Sequence, residues 1–157
     1  MRRILALVAA LVIGGGCTLG ELTADYGEPA DLRPADLVGT WSNADGGDLV
    51  FTADGKFTAT KLPYEAFKNF LPDGFTGQVD GGGTWELRSA RSGGPDSVVG
   101  LDFGPLAGQA DARLGQSVDA LVQDGKTYLV FFFVGAGGNS WHAYGKTPAP
   151  LGGGAGG

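Results

Sequence analysis

Cys17 and His142 are the only cysteine and the only histidine in this 157-residue sequence, so thiol or imidazole chemistry must run through one of them. Nucleophilic catalysis needs a base within hydrogen-bond reach of the nucleophile. Zinc needs several Cys or His ligands, which the sequence does not supply. No metal site and no cofactor are therefore expected. His142 sits in SWHAYGK, where it alternates with Trp141, so on a strand the two face opposite sides. It reads first as a surface or rim histidine and second as a general base. The run NADGGD at 43–48 has the carboxylates of a calcium loop but lacks its turn glycine and its terminal bidentate glutamate, and reads as a hairpin turn. The glycine triplet 81–83 is not followed by a helix opening on Lys-Ser/Thr, so it is no phosphate cradle. Scattered aspartates leave a carboxylate pair for glycoside chemistry open, and nothing singles one out.

Aromatic residues are the more informative set. Trp41, Phe51, Phe57, Trp85, Phe131 and Phe133 all fall on predicted strands. Converging from different strands, they would either fill a core or line an apolar cavity. In PYEAFKNFLPDGF, Tyr64, Phe67 and Leu71 recur at helical spacing, with Pro63 suited to a helix start and Pro72 stopping the run. This short helix would plug one end of a β-layer; a lid over a cavity or a partner-binding face is the other reading.

The elements that must position these residues are strands. In DLVFTADGKFTAT the apolar residues alternate on both sides of a turn. A two-residue loop would send Phe51 and Phe57 to opposite faces, whereas a three-residue loop over 53–55 pairs them on one face. Such a loop needs a residue in the left-handed region, and Gly55 tolerates it. QDGKTY signals a second hairpin, of less clear register because YLVFFFV is apolar on both faces. Further strands are predicted at 39–43, 83–89, 97–103, 117–123 and 140–146. Many short strands with closely spaced turn signals indicate an all-β sandwich or barrel.

The N-terminus carries an address. Met1-Arg2-Arg3 precedes an apolar run over residues 4–13, shorter than the ~20 residues of a spanning helix. A basic start, a short apolar middle and small residues before a cut point form an export signal over 1–16. Cys17 follows Gly15 and Gly16 directly. This resembles the lipobox of bacterial lipoproteins, in which the cysteine receives a diacylglycerol thioether and becomes the first mature residue. The resemblance implies lipid attachment at Cys17 and a chain held on the extracytoplasmic face of the cell membrane. Otherwise Cys17 merely ends an ordinary signal or fills apolar space.

Loss of residues 1–16 takes Arg2 and Arg3 and moves the net charge from −6 to −8, with 9 basic against 17 acidic residues. That argues against nucleic acid as a partner. A single cysteine allows no intrachain disulfide, so stability must come from the core. Residues 17–36 are polar and acidic, with Pro29 and Pro34, and are expected to be a disordered tether. Residues 147–157 are Gly-, Pro- and Ala-rich and are expected to be a disordered tail. Residues 37–146 form the one predicted domain.

Within that domain, LVGTWSNADGGDLVFTADGKFTATKLP followed by GGGTWELR resembles the opening of small lipocalin-like barrels, notably those of exported actinobacterial lipoproteins. The shared marks are Gly39 with Trp41, the hairpin from Phe51 to Phe57, and Gly83 with Trp85. The resemblance implies a single antiparallel up-and-down barrel of about eight strands, with the short helix inserted. In lipocalins a basic residue on the last strand packs over the first tryptophan, and here Lys146 is the residue available. The expected function is a membrane-anchored, non-enzymatic binding module for an apolar small molecule or an envelope protein partner. The alternative is an envelope hydrolase or an inhibitor-type effector built on the barrel.

Overall fold

The computed structural model describes residues 27–135 and 138–148. Its strands are β1 (Glu28–Pro29), β2 (Gly39–Ser42), β3 (Asp48–Phe51), β4 (Lys56–Thr60), β5 (Gly81–Ser89), β6 (Asp96–Leu106), β7 (Leu114–Gln123), β8 (Lys126–Gly135) and β9 (Gly138–Lys146). Two short helices join them: α1 (Pro34–Leu37), and α2 (Tyr64–Phe67), which runs on as a 3-10 turn, Lys68–Phe70. From β2 to β9 each strand pairs antiparallel with the next. The last strand returns to the first at Trp41↔Lys146 and Ser42↔Gly145. The sheet is thus an all-β, closed, eight-stranded up-and-down barrel with β1 added outside the circuit.

Turn chemistry sets the registers. Phe51 faces Phe57 across β3 and β4. The Thr52 N–H donates to the Lys56 carbonyl at 2.9 Å, leaving 53–55 as the loop, with Gly55 at φ +77°. The second hairpin pairs Gln123 with Lys126 around Asp124 and Gly125, both at positive φ. That is the two-residue loop whose twist suits antiparallel strands. It resolves the ambiguity of YLVFFFV: Leu129 and Phe131 enter the core cluster, while Tyr128 stands on the other face.

The glycine triplet has a packing role. Gly83 lies opposite both Phe57 and Phe103, with a bulge between Gly81 and Gly83. A Cβ at Gly81 would stand 2.9 Å from the Phe103 ring, and one at Gly83 would stand 1.9 Å from the Asp102 carbonyl oxygen. The bare backbone lets the Phe57 and Phe103 rings meet edge-to-face at 4.9 Å.

Each end of the barrel is closed by a helix. At one end α1 delivers Leu37, fully buried, beneath Trp41, whose indole N–H donates to the Leu37 carbonyl at 2.9 Å. Asp36 closes the first turn by accepting the Arg33 N–H at 2.9 Å and the Arg33 guanidinium at 3.1 Å. At the other end α2 inserts Phe67. Its loop is held by Leu62 N–H to the Val79 carbonyl and Lys61 N–H to the Asp80 carboxylate, at 2.8 and 2.9 Å.

The structure differs from the sequence reading at the N-terminal boundary. Residues 27–36, expected within the tether, lie on the barrel: Glu28 and Pro29 pair with Val122 and Leu121. Ala30 N–H donates to the Ala120 carbonyl at 2.8 Å, Leu32 N–H to the Asp96 carbonyl at 3.1 Å, and both side chains are buried. The reason is strand length. The β6–β7 ladder ends at Val98↔Asp119 while β7 runs on to Gln123, and β1 takes the edge left over. Thr147, expected in the tail, donates its N–H to the Thr40 carbonyl at 2.8 Å and extends the closing ladder. Residues 17–26 and 149–157 lie outside the described residues.

Candidate functional site

The aromatic residues singled out in the sequence do converge. Trp41, Phe51, Phe57 and Phe131 are each at most 2 % exposed, and Trp85 and Phe133 are half-buried against the same cluster. Their rings form a connected series. Trp85 meets Phe51 at 5.9 Å, Phe51 meets Phe57 at 6.2 Å, and Phe57 meets Phe103. Phe67 bridges Phe103 at 5.5 Å and Phe131 at 6.0 Å, and Phe131 continues to Phe133 and Tyr144. Most of these contacts are edge-to-face, the arrangement in which a ring's positive edge meets its neighbour's negative face. Side chains from β2, β3, β4, β6, β8 and β9 thereby occupy the barrel interior.

Of the three residues of the short helix, two pack on the core and one does not. Phe67 is fully buried, Leu71 is half-buried against the core, and Tyr64 is 47 % exposed. Phe67 closes the α-helical turn on the core side and Leu71, just after the 3-10 turn, packs on the same core, whereas Tyr64 at the helix start faces solvent. Phe70, at the end of the 3-10 turn, is exposed.

His142 is half-buried with its ring 6.0 Å from that of Phe133, while Trp141 is exposed, as strand alternation requires. The NADGGD run folds as a hairpin turn: the Asn43 side-chain oxygen accepts the N–H groups of Asp45 and Gly47 at 3.0 and 2.7 Å. Among the described residues no group of three or more His, Cys, Asp or Glu is placed to hold a metal. Cys17 lies outside the described residues.

Two interior aromatics were not singled out in the sequence. Phe103 follows Leu101 by two on a predicted strand, so alternation could have found it. Tyr144 follows His142 by two and is fully buried. Its hydroxyl has no hydrogen-bond partner among the described residues. Burial pushes its pKa up to about 12; Asp45 and Asp48 add to the rise and the nearby Asn43 side chain opposes it. On the outer face, burial also raises the pKa of Asp119, which stands between Val98 and Val130 on the neighbouring strands.

A surface depression of about 840 Å³ lies at the α1 end, between residues 31–36 and the ends of β8 and β9. A second, of about 580 Å³, runs over the outer face of β3 to β5 and is floored by Gly82 between Val50, Thr58 and Thr84. A notch of about 230 Å³ separates the turn at Asn43 from Trp141 to Ala143. No family model, no curated protein and no solved structure matches this chain.

Proposed function

We propose that this chain is a lipid-anchored, extracytoplasmic, non-enzymatic binding module that recognises an envelope protein partner on the outside of its barrel. The observation that carries the choice of surface is the interior itself. Trp41, Phe51, Phe57, Phe67, Phe103, Phe131 and Tyr144 occupy it at no more than 2 % exposure, between Leu37 at one end and Phe67 at the other. An apolar ligand carried inside would have to displace packed rings, and truncating a buried Phe costs ~3–5 kcal/mol. An outer surface needs no such displacement. The anchor rests on the sequence around Cys17, where several acyl chains would hold stably at ~0.8 kcal/mol per buried CH₂.

Two measurements test this. Metabolic labelling with a palmitate analogue should tag the parent and not Cys17→Ala, and that variant should leave the membrane fraction; an equally membrane-bound Ala variant overturns the anchor. An apolar fluorescent probe should show no saturable binding to the folded parent. Phe67→Ala should lower stability by ~3–5 kcal/mol. Probe uptake by the parent that Phe67→Ala strengthens with little loss of stability would instead make Phe67 a lid over a ligand cavity.

A further inference from the structure

We propose that the groove at the α1 end of the barrel is a binding site for a neutral saccharide. The site is on the outer surface and does not depend on the anchor or on a protein partner. At about 840 Å³ it falls in the size range of small-molecule sites. Its platform is Tyr128, which stands directly opposite Gly145 on β9. The phenol ring leans over the glycine, close enough that a Cβ there would lie 3.6 Å from the ring. With no side chain opposite, the half-buried ring presents a flat apolar surface bordered by polar groups. A pyranose, with apolar C–H faces and a hydroxylated rim, matches that combination.

The rim groups have free hydrogen-bonding capacity of both kinds. Asp31 and Lys126 line the groove, and neither makes an ion pair or a side-chain hydrogen bond among the described residues. The carboxylate is an acceptor and the ammonium a donor. The Ser42 hydroxyl donates to Asp48 at 2.6 Å, so its 2.9 Å contact with Thr147 must be one in which Thr147 donates. That leaves Thr147 Oγ1 with its lone pairs turned to other donors. Each sugar hydroxyl is both donor and acceptor and can pair with any of the three. Charges of both signs border the groove, which disfavours a purely anionic or purely cationic ligand and favours a neutral polyhydroxylated one.

The test is a titration of the full chain with cellotetraose, chitotetraose and mannotetraose, followed by backbone amide chemical shifts. At least one should shift the amides of Tyr128, Gly145 and Thr147 saturably. Tyr128→Ala should weaken that binding about tenfold or more, and Tyr128→Phe should hold within about threefold, since the ring face rather than the hydroxyl makes the platform. Asp31→Asn should weaken it about fivefold through loss of a charged acceptor. If no tetrasaccharide shifts these amides, or if Tyr128→Ala binds as well as the parent, the proposal is overturned. Should Tyr128→Ala fail to fold, Asp31→Asn decides: unchanged affinity there overturns it.

Discussion

Lys146 lies over the indole of Trp41, its Nζ 5.5 Å from the ring centroid, and the same ammonium donates to the Asp36 carbonyl oxygen. The contact joins the last strand of the barrel to the first and to the helix that stops its end. Among the described residues the β2–β9 seam is short, two paired positions extended by the Thr147–Thr40 hydrogen bond, so side-chain contacts across it carry weight.

Removing the cation while keeping the apolar stem should therefore loosen this end. A partly exposed cation–π contact is worth ~0.5–1 kcal/mol and a charged hydrogen bond ~1.5–3 kcal/mol, both reduced by solvent at an exposed lysine. Lys146→Met should lower stability by ~1–2 kcal/mol on chemical denaturation. Lys146→Arg should recover most of that loss. A Met variant as stable as the parent would mean that the seam holds without the cation.

The glycine triplet allows a graded test. Gly83→Ala would force a Cβ into the Asp102 carbonyl, and only a shift of the β5–β6 ladder relieves it. A loss of ~3 kcal/mol or more is expected, at the large end for single changes. Gly104→Ala on the adjoining strand meets nothing within 4 Å and should stay within ~0.5 kcal/mol of the parent. Gly55→Val, strained at φ +77°, should fall between the two. The order of the three melting temperatures checks the bulge and the hairpin together.

What was legible in the sequence is what alternation and turn chemistry encode. Phe51 and Phe57 had to share a face, and only a three-residue loop allows it, so the residue pattern alone dictates that register. Trp41, Trp85, Phe131 and Phe133 lay on recognisable strands, and their convergence follows once the sheet closes. The packed N-terminal residues were not legible. Ala30 and Leu32 are separated by Asp31 and flanked by prolines, which is the composition of a tether, and their burial depends on how far β7 outruns β6. The exposure of Tyr64 was hidden too, because spacing places Tyr64 and Phe67 within one helical turn but does not say how far the barrel end covers the first residue of that turn. The groove at Tyr128 has no local signature at all. Its walls come from positions 31, 42, 126–128 and 145–147, which only barrel closure brings together.

Tyr144 is the position where a smaller side chain should improve the protein. Its hydroxyl is buried without a partner among the described residues, and an unsatisfied buried hydroxyl costs ~1–3 kcal/mol. Tyr144→Phe keeps the ring against Phe131 and removes only the orphaned group. Stability at neutral pH should rise by ~1 kcal/mol. The alkaline limb should change as well. Tyr144 ionises at its ordinary value of 10.0 when unfolded and at about 12 when folded, so between those values the folded state holds more protons than the unfolded one. Its contribution is complete below pH 10 and is lost as pH rises through about 12. Denaturation midpoints measured from pH 8 to pH 12 should therefore fall more steeply for the parent than for Tyr144→Phe. If the two curves run parallel and the Phe variant is less stable throughout, the hydroxyl has a partner in solution, and the nearest candidate is the side chain of Asn43.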